Sequence, residues 1–228
     1  MQNTGRATEK VGDDLLVGQD GYVVMESMRW RTPPALVDAV ARHLGAEEWD
    51  LDACAEEGAS VAPRSLTADR SCLVWEWNRW GVQYVWMNPP YGAKGVPRAT
   101  LRAAGENPDA YKPFPGLDAF LDRAHAQANR HSLTVACLVP ASMDARIFRH
   151  LARAREVILL GRVRFIDTHG IEQRNPPGAH MVIVFTTEKQ GPTWTFKEDC
   201  SYSFGCRCRL CRLRIYDRLS SRWLASDN

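Results

Sequence analysis

A short run of β-branched and aromatic residues, 82–87, ends abruptly in the tetrapeptide Asn88-Pro89-Pro90-Tyr91. The run predicts a buried strand, and the tandem prolines cannot continue a central ladder because they lack N–H donors. The tetrapeptide is therefore expected in a rigid turn at the carboxyl end of a strand, where open α/β sheets bind their ligands. An amide, a backbone carbonyl beside proline and an aromatic ring, held together there, suit the grip of a planar amine.

A helix is predicted shortly after Trp30. Thr32 is a favourable N-cap, and Pro33 suits the first helical position because its missing N–H is not needed there. Apolar residues then repeat at helical spacing until Gly45. This pattern allows two interpretations: a simple helix start, or a helix N-terminus at which Thr32 and nearby amides face a ligand carboxylate.

A carboxylate at the end of a predicted first core strand is a second candidate ligand group. Asp52 follows Leu51 and precedes Ala53-Cys54, and such a carboxylate can hold the amino group or ribose of a nucleotide-like cofactor. The usual Gly-x-Gly turn is absent, and acidic residues at strand ends are also common at surfaces. Asp69 could reach a cofactor base, although a solvated turn explains it equally well.

The remaining pattern predicts an α/β fold. A helix is expected at 117–128, and Asp144 is expected to cap another. Strands are expected at 133–139, at 157–166 with a break at Gly161, and at 181–185. Strand–helix alternation followed by a hairpin-like pair predicts a doubly wound sheet, mostly parallel, with one antiparallel strand near the C-terminal end.

With 228 residues the chain suits one domain with small additions. We predict a flexible leader at 1–26 that holds a short strand at 22–25, a main domain at 27–189, and an appendage at 190–228. The loops 93–116 and 168–179 are long for a compact domain, and residues 98–104 of the first could form a short helix. Lys94 and Arg98 in the first loop suit phosphate contacts, and a solvated loop explains them equally well.

The appendage is basic and rich in cysteine. Residues 200–228 hold six arginines against two acids, whereas the whole chain carries a formal charge of only +2. Four thiolates spaced C-x5-C-x-C-x2-C could bind zinc, although only one pair has ordinary knuckle spacing; otherwise they are free thiols. The cysteines concerned are Cys200, Cys206, Cys208 and Cys211.

The cellular location is predicted from the lack of membrane-span, signal-peptide and disulfide patterns in the sequence. No apolar run approaches the length of a membrane span, and the acidic first residues do not resemble a signal peptide. Seven cysteines, an odd number, do not suggest a secreted disulfide framework. These features predict a cytoplasmic protein without a membrane partner.

Five motifs, taken in order, resemble those of phage-type (Dam-like) DNA adenine-N6 methyltransferases, and the similarity covers roughly residues 29–186. They are Arg-Trp-Arg-Thr-Pro-Pro at 29–34, Leu-Asp-Ala-Cys-Ala at 51–55, Asn-Pro-Pro-Tyr-Gly at 88–92, Leu-Val-Pro-Ala at 138–141 and Gly-Arg-Val-Arg-Phe at 161–165. The resemblance implies a Rossmann-like fold that binds S-adenosylmethionine, DNA as the substrate, and a bacterial host cell. The longer loop 93–116 and the Cys/Arg tail depart from the family pattern.

The resemblance also assigns residues to roles. It implies that the tetrapeptide 88–91 is catalytic and that Tyr91 and Phe165 lie near a flipped base. Lys94 and Arg98 are further candidate substrate contacts because of their charge. The implied cofactor-binding residues are Trp30, Thr32, Pro33, Asp52, Ala53, Cys54, Asp69 and Asn88.

Other functions use the same grip on a planar amine. Cytosine-N4, RNA-base and glutamine side-chain methyltransferases share the tetrapeptide, and a glutamine enzyme fits least because the glycine-rich first motif is absent. A non-catalytic DNA-binding protein on the same fold has little need of Asn88 and Tyr91. The tetrapeptide as an ordinary strand-to-loop turn is the simplest alternative.

Overall fold

The computed structural model describes residues 30–56, 58–67, 71–91, 98–105, 107–110, 115–141, 145–167, 169–173 and 178–187, together with the strands at 9–10, 15–17, 23–25, 193–196 and 214–216.

An eight-stranded sheet organises the fold, in the order β11-β10-β8-β9-β7-β6-β4-β5. Its strands are β4 (Leu51–Asp52), β5 (Arg64–Ser65), β6 (Tyr84–Met87), β7 (Thr134–Pro140), β8 (Glu156–Arg162), β9 (Ala179–Phe185), β10 (Thr193–Phe196) and β11 (Arg214–Tyr216). Six strands run in one direction, whereas β9 lies antiparallel between β7 and β8 and β11 lies antiparallel to β10. The predicted Rossmann-like α/β sheet with an antiparallel strand is confirmed, and β11 adds a second antiparallel strand.

The central strands are buried on both faces, as their almost wholly apolar sequences require. Along β7, Val135, Cys137 and Val139 point to one face, while Ala136 and Leu138 point to the other. The first face packs beneath helix α3 (Gly116–His131), and the second packs beneath helix α1 (Pro34–His43). The sheet is therefore the middle layer of three.

Two shorter α-helices and two 3-10 helices, Trp77–Trp80 and Pro108–Ala110, are also described. Helix α2 (Arg98–Ala103) lies where the sequence allowed a short helix at 98–104, and helix α4 (Ala145–Leu151) follows β7. The helix expected at 117–128 is α3, which extends to His131 and ends at Ser132 in the left-handed region, φ +55°.

The predicted start of α1 was wrong by one residue. Pro33 is the N-cap and Pro34 the first helical residue, and no side chain caps the helix. With two successive prolines, the second takes the position that needs no N–H donor, so Thr32 lies before the cap. Thr32 is therefore left without the capping role that the sequence suggested.

Both ends of the chain contain more structure than the sequence predicted. The leader holds three short antiparallel strands, β1 (Glu9–Lys10), β2 (Leu15–Val17) and β3 (Val23–Met25), of which only the last was expected. Strand β10 pairs in parallel with β8. The sheet therefore does not end at the boundary predicted at residue 189.

Arg162–Ile166 was predicted to continue a strand after Gly161, and this was wrong in part. Strand β8 runs through Gly161 and ends at Arg162, and Ile166 instead forms isolated bridges with Arg31 and Glu172. None of the helices in the described part of the chain is long and apolar enough to cross a membrane.

Candidate active site

The site lies where two neighbouring parallel strands end. Strands β4 and β6 pair with Asp52 opposite Trp86, and the Ala53 amide donates to the Trp86 carbonyl at 2.8 Å. The segments that follow β4 and β6 therefore leave the sheet at the same edge. Asp52 stands at the end of β4, and Asn88 comes directly after β6.

Two hydrogen bonds fix the orientation of the Asn88 amide. Its Nδ2 donates to the Trp30 carbonyl at 3.1 Å, and its Oδ1 accepts from the Tyr91 hydroxyl at 2.6 Å. A carbonyl oxygen can only accept, so the bond to Trp30 identifies the amide nitrogen. Because an amide oxygen has two lone pairs, Oδ1 keeps the capacity to accept a second hydrogen.

The Tyr91 hydroxyl is suited to remain the donor in this pair. Burial raises the pKa of Tyr91 well above its ordinary value, and the nearby Cys54 thiol acts in the same direction. The hydroxyl therefore stays protonated at neutral pH. The tyrosine consequently positions the asparagine and lines the site at the same time.

Aromatic rings from three other segments surround Tyr91. The Phe165 ring centroid lies 6.2 Å from that of Tyr91 and 6.5 Å from that of Trp30. The His180 ring, on β9, lies 5.7 Å from Tyr91 and 5.0 Å from Phe165. These four rings form what we call the aromatic cluster: Trp30, Tyr91, Phe165 and His180.

Backbone hydrogen bonds hold this cluster in place. Arg31 and Ile166 exchange two backbone bonds of 2.7 and 2.9 Å, which secure Trp30 beside Phe165. The Gln173 amide donates to the Phe165 carbonyl at 2.8 Å. The segments that precede α1 and follow β8 are thereby joined at the site, although they are more than 130 residues apart.

Asp52 is a buried carboxylate with no positively charged partner in its described hydrogen bonds. It accepts from the Cys54 amide on Oδ1 and from the Val61 amide on Oδ2, both at 3.2 Å. Burial raises the pKa of Asp52 to about 6, although the two backbone bonds act against this change. A carboxylate held in this way favours a cationic or hydroxyl-bearing ligand, because either one restores the interactions lost on burial.

Thr32 has a polar atom without a partner. Only 5% of the residue is exposed, and among the described residues its Oγ1 has no hydrogen-bond partner. A buried hydroxyl without a partner costs free energy, so its presence beside the start of α1 suggests that a ligand completes it. Thr32 and Asp52 each therefore offer a polar atom to a ligand.

The backbone of Cys54, rather than its thiol, contributes to this arrangement. Its amide bonds Asp52, while its Sγ lies 3.5 Å from the Cys72 Sγ. Burial raises the pKa of the Cys54 thiol, with Cys72 and Asp52 nearby adding to the effect. Ala53 is buried in the turn that carries this amide.

Other predicted site residues are not part of this cluster or cannot be placed. Arg98, at the first position of α2, forms an ion pair with Asp109 and lowers the pKa of that carboxyl. Asp69, Lys94 and the four tail cysteines lie outside the described residues. The structure thus brings together Trp30, Asn88, Tyr91 and Phe165, and places Thr32 and Pro33 directly after Trp30.

Sequence reasoning missed His180. The residue is 3% exposed and faces two predicted site residues from the one strand that runs antiparallel between β7 and β8. One signal could have found it, because His180 is the only polar side chain in the run from Ala179 to Phe185.

Residues 23–202 match the family model described as DNA N-6-adenine-methyltransferase (Dam). Among curated proteins, none matches this chain. Among solved structures, the chain is similar to the methyltransferase subunit of a type I restriction-modification system from Streptococcus thermophilus, with 16% sequence identity and a TM-score of 0.44. The similarity covers 83% of this chain and 51% of that one, so this chain spans about half the length of that subunit.

Proposed function

Because this chain belongs to the DNA N-6-adenine-methyltransferase (Dam) family, we propose that it transfers a methyl group from S-adenosylmethionine to the exocyclic 6-amino group of adenine in DNA. One observation carries the proposal: the Asn88 amide is fixed with its oxygen beside Tyr91 at the carboxyl end of β6. A preorganised acceptor at that place suits an amine that is about to become more positive.

Two oxygens accept the hydrogens of the amine. The free lone pair of Asn88 Oδ1 takes one hydrogen, and the Pro89 carbonyl takes the other. These bonds draw the nitrogen lone pair out of conjugation with the purine, and they strengthen as positive charge develops on nitrogen. No strong general base is needed, since the methylated nitrogen readily loses its extra proton to water.

The buried polar groups beside the strand ends fit S-adenosylmethionine. Asp52 would bind a cationic or hydroxyl group of the cofactor, with Ala53 and Cys54 forming the turn, and Thr32 would bind its carboxylate end next to Trp30 and Pro33. Asp69 and Asn88 remain proposed as further contacts. When bound, the cofactor supplies an electrophilic methyl group, and the protein supplies alignment.

The base reaches the site by leaving the duplex. A paired adenine cannot bring its amine to Asn88, so the base must flip out and stack on Tyr91, with Phe165 beside it. Stacking of this kind is worth about 1–3 kcal/mol per base. Lys94 and Arg98 are proposed to contact phosphates, Arg98 after release from Asp109.

Substitution of Asn88 tests this function. Asn88→Ala removes the acceptor and is expected to reduce methylation by at least about a hundredfold. Cofactor affinity, measured by calorimetry, should stay within a few-fold of that of the wild type. Asn88→Asp, which keeps an oxygen acceptor but loses the bond to Trp30, should retain more activity than Asn88→Ala.

The product is identified by mass spectrometry of nucleosides from DNA and from RNA incubated with protein and cofactor. N6-methyladenine from DNA alone is expected. Methylcytosine or a methylated RNA base as the main product would replace the proposed substrate, and an undiminished rate with Asn88→Ala would remove Asn88 from the mechanism. A wild-type protein that binds no S-adenosylmethionine would contradict the proposal as a whole.

A further inference from the structure

Three large apolar side chains are strongly exposed in the described part of the chain: Val74, Phe148 and Ile171, at 69%, 52% and 62%. A single exposed apolar residue is ordinary on a protein surface, so exposure alone assigns no role. The surroundings of the three differ. The chain neighbours of Val74 and Phe148 pack on the face of the sheet that α3 covers, whereas Ile171 belongs to the segment that carries Phe165 of the aromatic cluster.

Hydrogen bonds connect the segment of Ile171 to Asn88 in two steps. Asn88 Nδ2 donates to the Trp30 carbonyl at 3.1 Å, and the next residue, Arg31, exchanges backbone bonds of 2.7 and 2.9 Å with Ile166. Strand β8 runs in the same direction as β6, so the chain that follows β8 leaves the sheet at the edge where Asn88 lies. Ile171 therefore stands beyond the edge of the sheet that bears the candidate site.

Ile171 lies at the tip of a short hairpin. The Gln173 amide donates to the Phe165 carbonyl at 2.8 Å, and the Asp167 amide donates to the Ile171 carbonyl at 3.0 Å. Asp167 Oδ1 accepts from the amides of His169 and Ile171 at 2.9 and 2.8 Å. Since a strand rises about 3.3 Å per residue, Ile171 lies about 7 Å beyond the backbone bond of Phe165. These hydrogen bonds hold the tip, so presenting its side chain to a partner costs little conformational entropy.

The acidic side chains of the hairpin have partners within it. Asp167 Oδ2 accepts from Gln173 Nε2 at 3.2 Å, and Glu172 Oε1 lies 3.7 Å from Arg164 Nη1. The DNA backbone is anionic and repels carboxylates that lack such partners. The hairpin therefore opposes contact with DNA less than its two acids suggest, and it leaves Ile171 exposed for an apolar contact.

We propose that Ile171 is a positioning residue that inserts into the DNA stack, in the space left by the flipped adenine. This inference rests on the proposed function, in which the adenine leaves the duplex to reach Asn88. Flipping is unfavourable because it unstacks the base and breaks its pairing. Isoleucine is one of the apolar residues that proteins insert between base steps. By filling the gap, Ile171 stabilises the flipped state and opposes return of the base.

Duplexes that differ only in the pairing of the target adenine test this role. One carries the sequence that the wild type methylates, as found by modified-base sequencing, and the other has cytosine instead of thymine opposite the target. A mispaired base costs less to flip, so its flipping depends less on a side chain that fills the gap. Relative to the wild type on the same DNA, Ile171→Ala should lower kcat/KM about tenfold on the matched duplex and no more than about twofold on the mispaired one.

Two further variants serve as controls. Ile171→Leu keeps an apolar side chain of the same size and should retain most of the activity on both duplexes. Val74→Ala shortens a similarly exposed apolar side chain whose neighbours pack on the other face of the sheet, and it should match the wild type. Thermal unfolding shows whether each variant is folded, and gel filtration compares its oligomeric state with that of the wild type.

The inference is overturned if Ile171→Ala keeps full activity on the matched duplex. It is also overturned if the variant loses the same factor on both duplexes, because a general DNA contact or a folding defect has that effect. A wild-type dimer that Ile171→Ala dissociates would overturn it too, since the tip would then bind a second copy of the chain. Absence of any methylated DNA with the wild type would remove the proposed function, and this inference with it.

Discussion

Asp52 is buried at a cost that its own hydrogen bonds do not fully offset. Its pKa rises to about 6 because burial outweighs the two backbone bonds from Cys54 and Val61. The folded protein therefore binds a proton at this group more tightly than the unfolded chain, in which the pKa is near its ordinary 3.8. Such a site is suited to a ligand whose binding offsets the free-energy cost of burying the Asp52 carboxylate.

This cost predicts how stability depends on pH. Because the folded-state pKa lies above the unfolded one, lowering the pH from 7 to 5 should stabilise the wild type by about 1 kcal/mol relative to Asp52→Asn. Urea unfolding of the free protein at both pH values measures the difference. The exposed Asp38→Asn serves as the matched control, and an unchanged gap between wild type and Asp52→Asn would show that Asp52 is not a strained carboxylate.

At the scale of single residues, the sequence predicted most of the side chains that meet at the site. The tetrapeptide and its neighbours led to Asn88, Tyr91, Trp30 and Phe165, because each lies in a short motif with its own residue pattern. Thr32 was misjudged as a cap because the choice between Pro33 and Pro34 depends on the angle at which the chain enters the helix. His180 was missed because its partners come from distant segments.

The Glu76 carboxylate accepts four of the hydrogen bonds that join helix α3 to the segment before β6. Glu76 Oε2 accepts from Gln127 and His131, each at 2.9 Å, and its Oε1 accepts from Arg123 and Arg130 at 3.2 and 3.1 Å. The hydrogen bond from Gln127, followed by that from His131, lowers the pKa of Glu76 to about 2. This contact anchors the chain that leads into the strand bearing Asn88.

Acid should therefore weaken this junction. The folded-state pKa lies below the ordinary 4.5, so the stabilisation is present above about pH 4.5 and is lost as the pH falls towards 2. Since the side chain is 35% exposed, solvent screening reduces its worth to about 1 kcal/mol. Glu76→Gln should lower stability by that amount at pH 7 and by much less near pH 2.

Chemical unfolding of the wild type and Glu76→Gln across this pH range provides the measurement, with the exposed Glu47→Gln as the control. An equal deficit at both ends of the range would mean that packing, and not charge, explains the loss.

Elements were predicted more readily than their order in the sheet. Strands β6, β7 and β9 follow from runs of apolar residues, and α3 follows from its helical spacing. The insertion of β9 between β7 and β8 depends on pairing between strands that local sequence does not encode. Strand β10 was missed because the residues from 190 onwards were assigned to an appendage, although β6 is equally short.

On the scale of the whole molecule, the sheet and the family match both extend beyond the predicted domain boundary. Strand β10 pairs along β8 from Glu156 to Leu159, and the family model matches to residue 202. Strand β8 is therefore an interior strand rather than an edge. The limits of a separate C-terminal appendage remain a prediction.

Truncated chains test whether the stable fold ends at residue 189 or extends to residue 202. A chain that ends at residue 189 loses β10 and leaves the apolar edge of β8 unpaired, so it should unfold at a temperature lower by about 5 °C or more and aggregate more readily. A chain that ends at residue 202 should unfold close to the full-length protein. Thermal unfolding of the two truncated chains and the full-length protein provides the measurement. Equal unfolding temperatures would place β10 outside the stable fold.

The cysteines in and beside the hydrophobic core, Cys54, Cys72 and Cys137, have a practical consequence for chemical labelling. Cys72 and Cys137 are buried. Burial raises the pKa of Cys54 and Cys137, so Cys54 and Cys137 supply little thiolate to an alkylating reagent at neutral pH. A brief labelling reaction on the folded protein should therefore leave Cys54 and Cys137 largely unmodified. The protein thus carries its own internal reference for thiol reactivity, against which protection of the tail by added zinc can be counted.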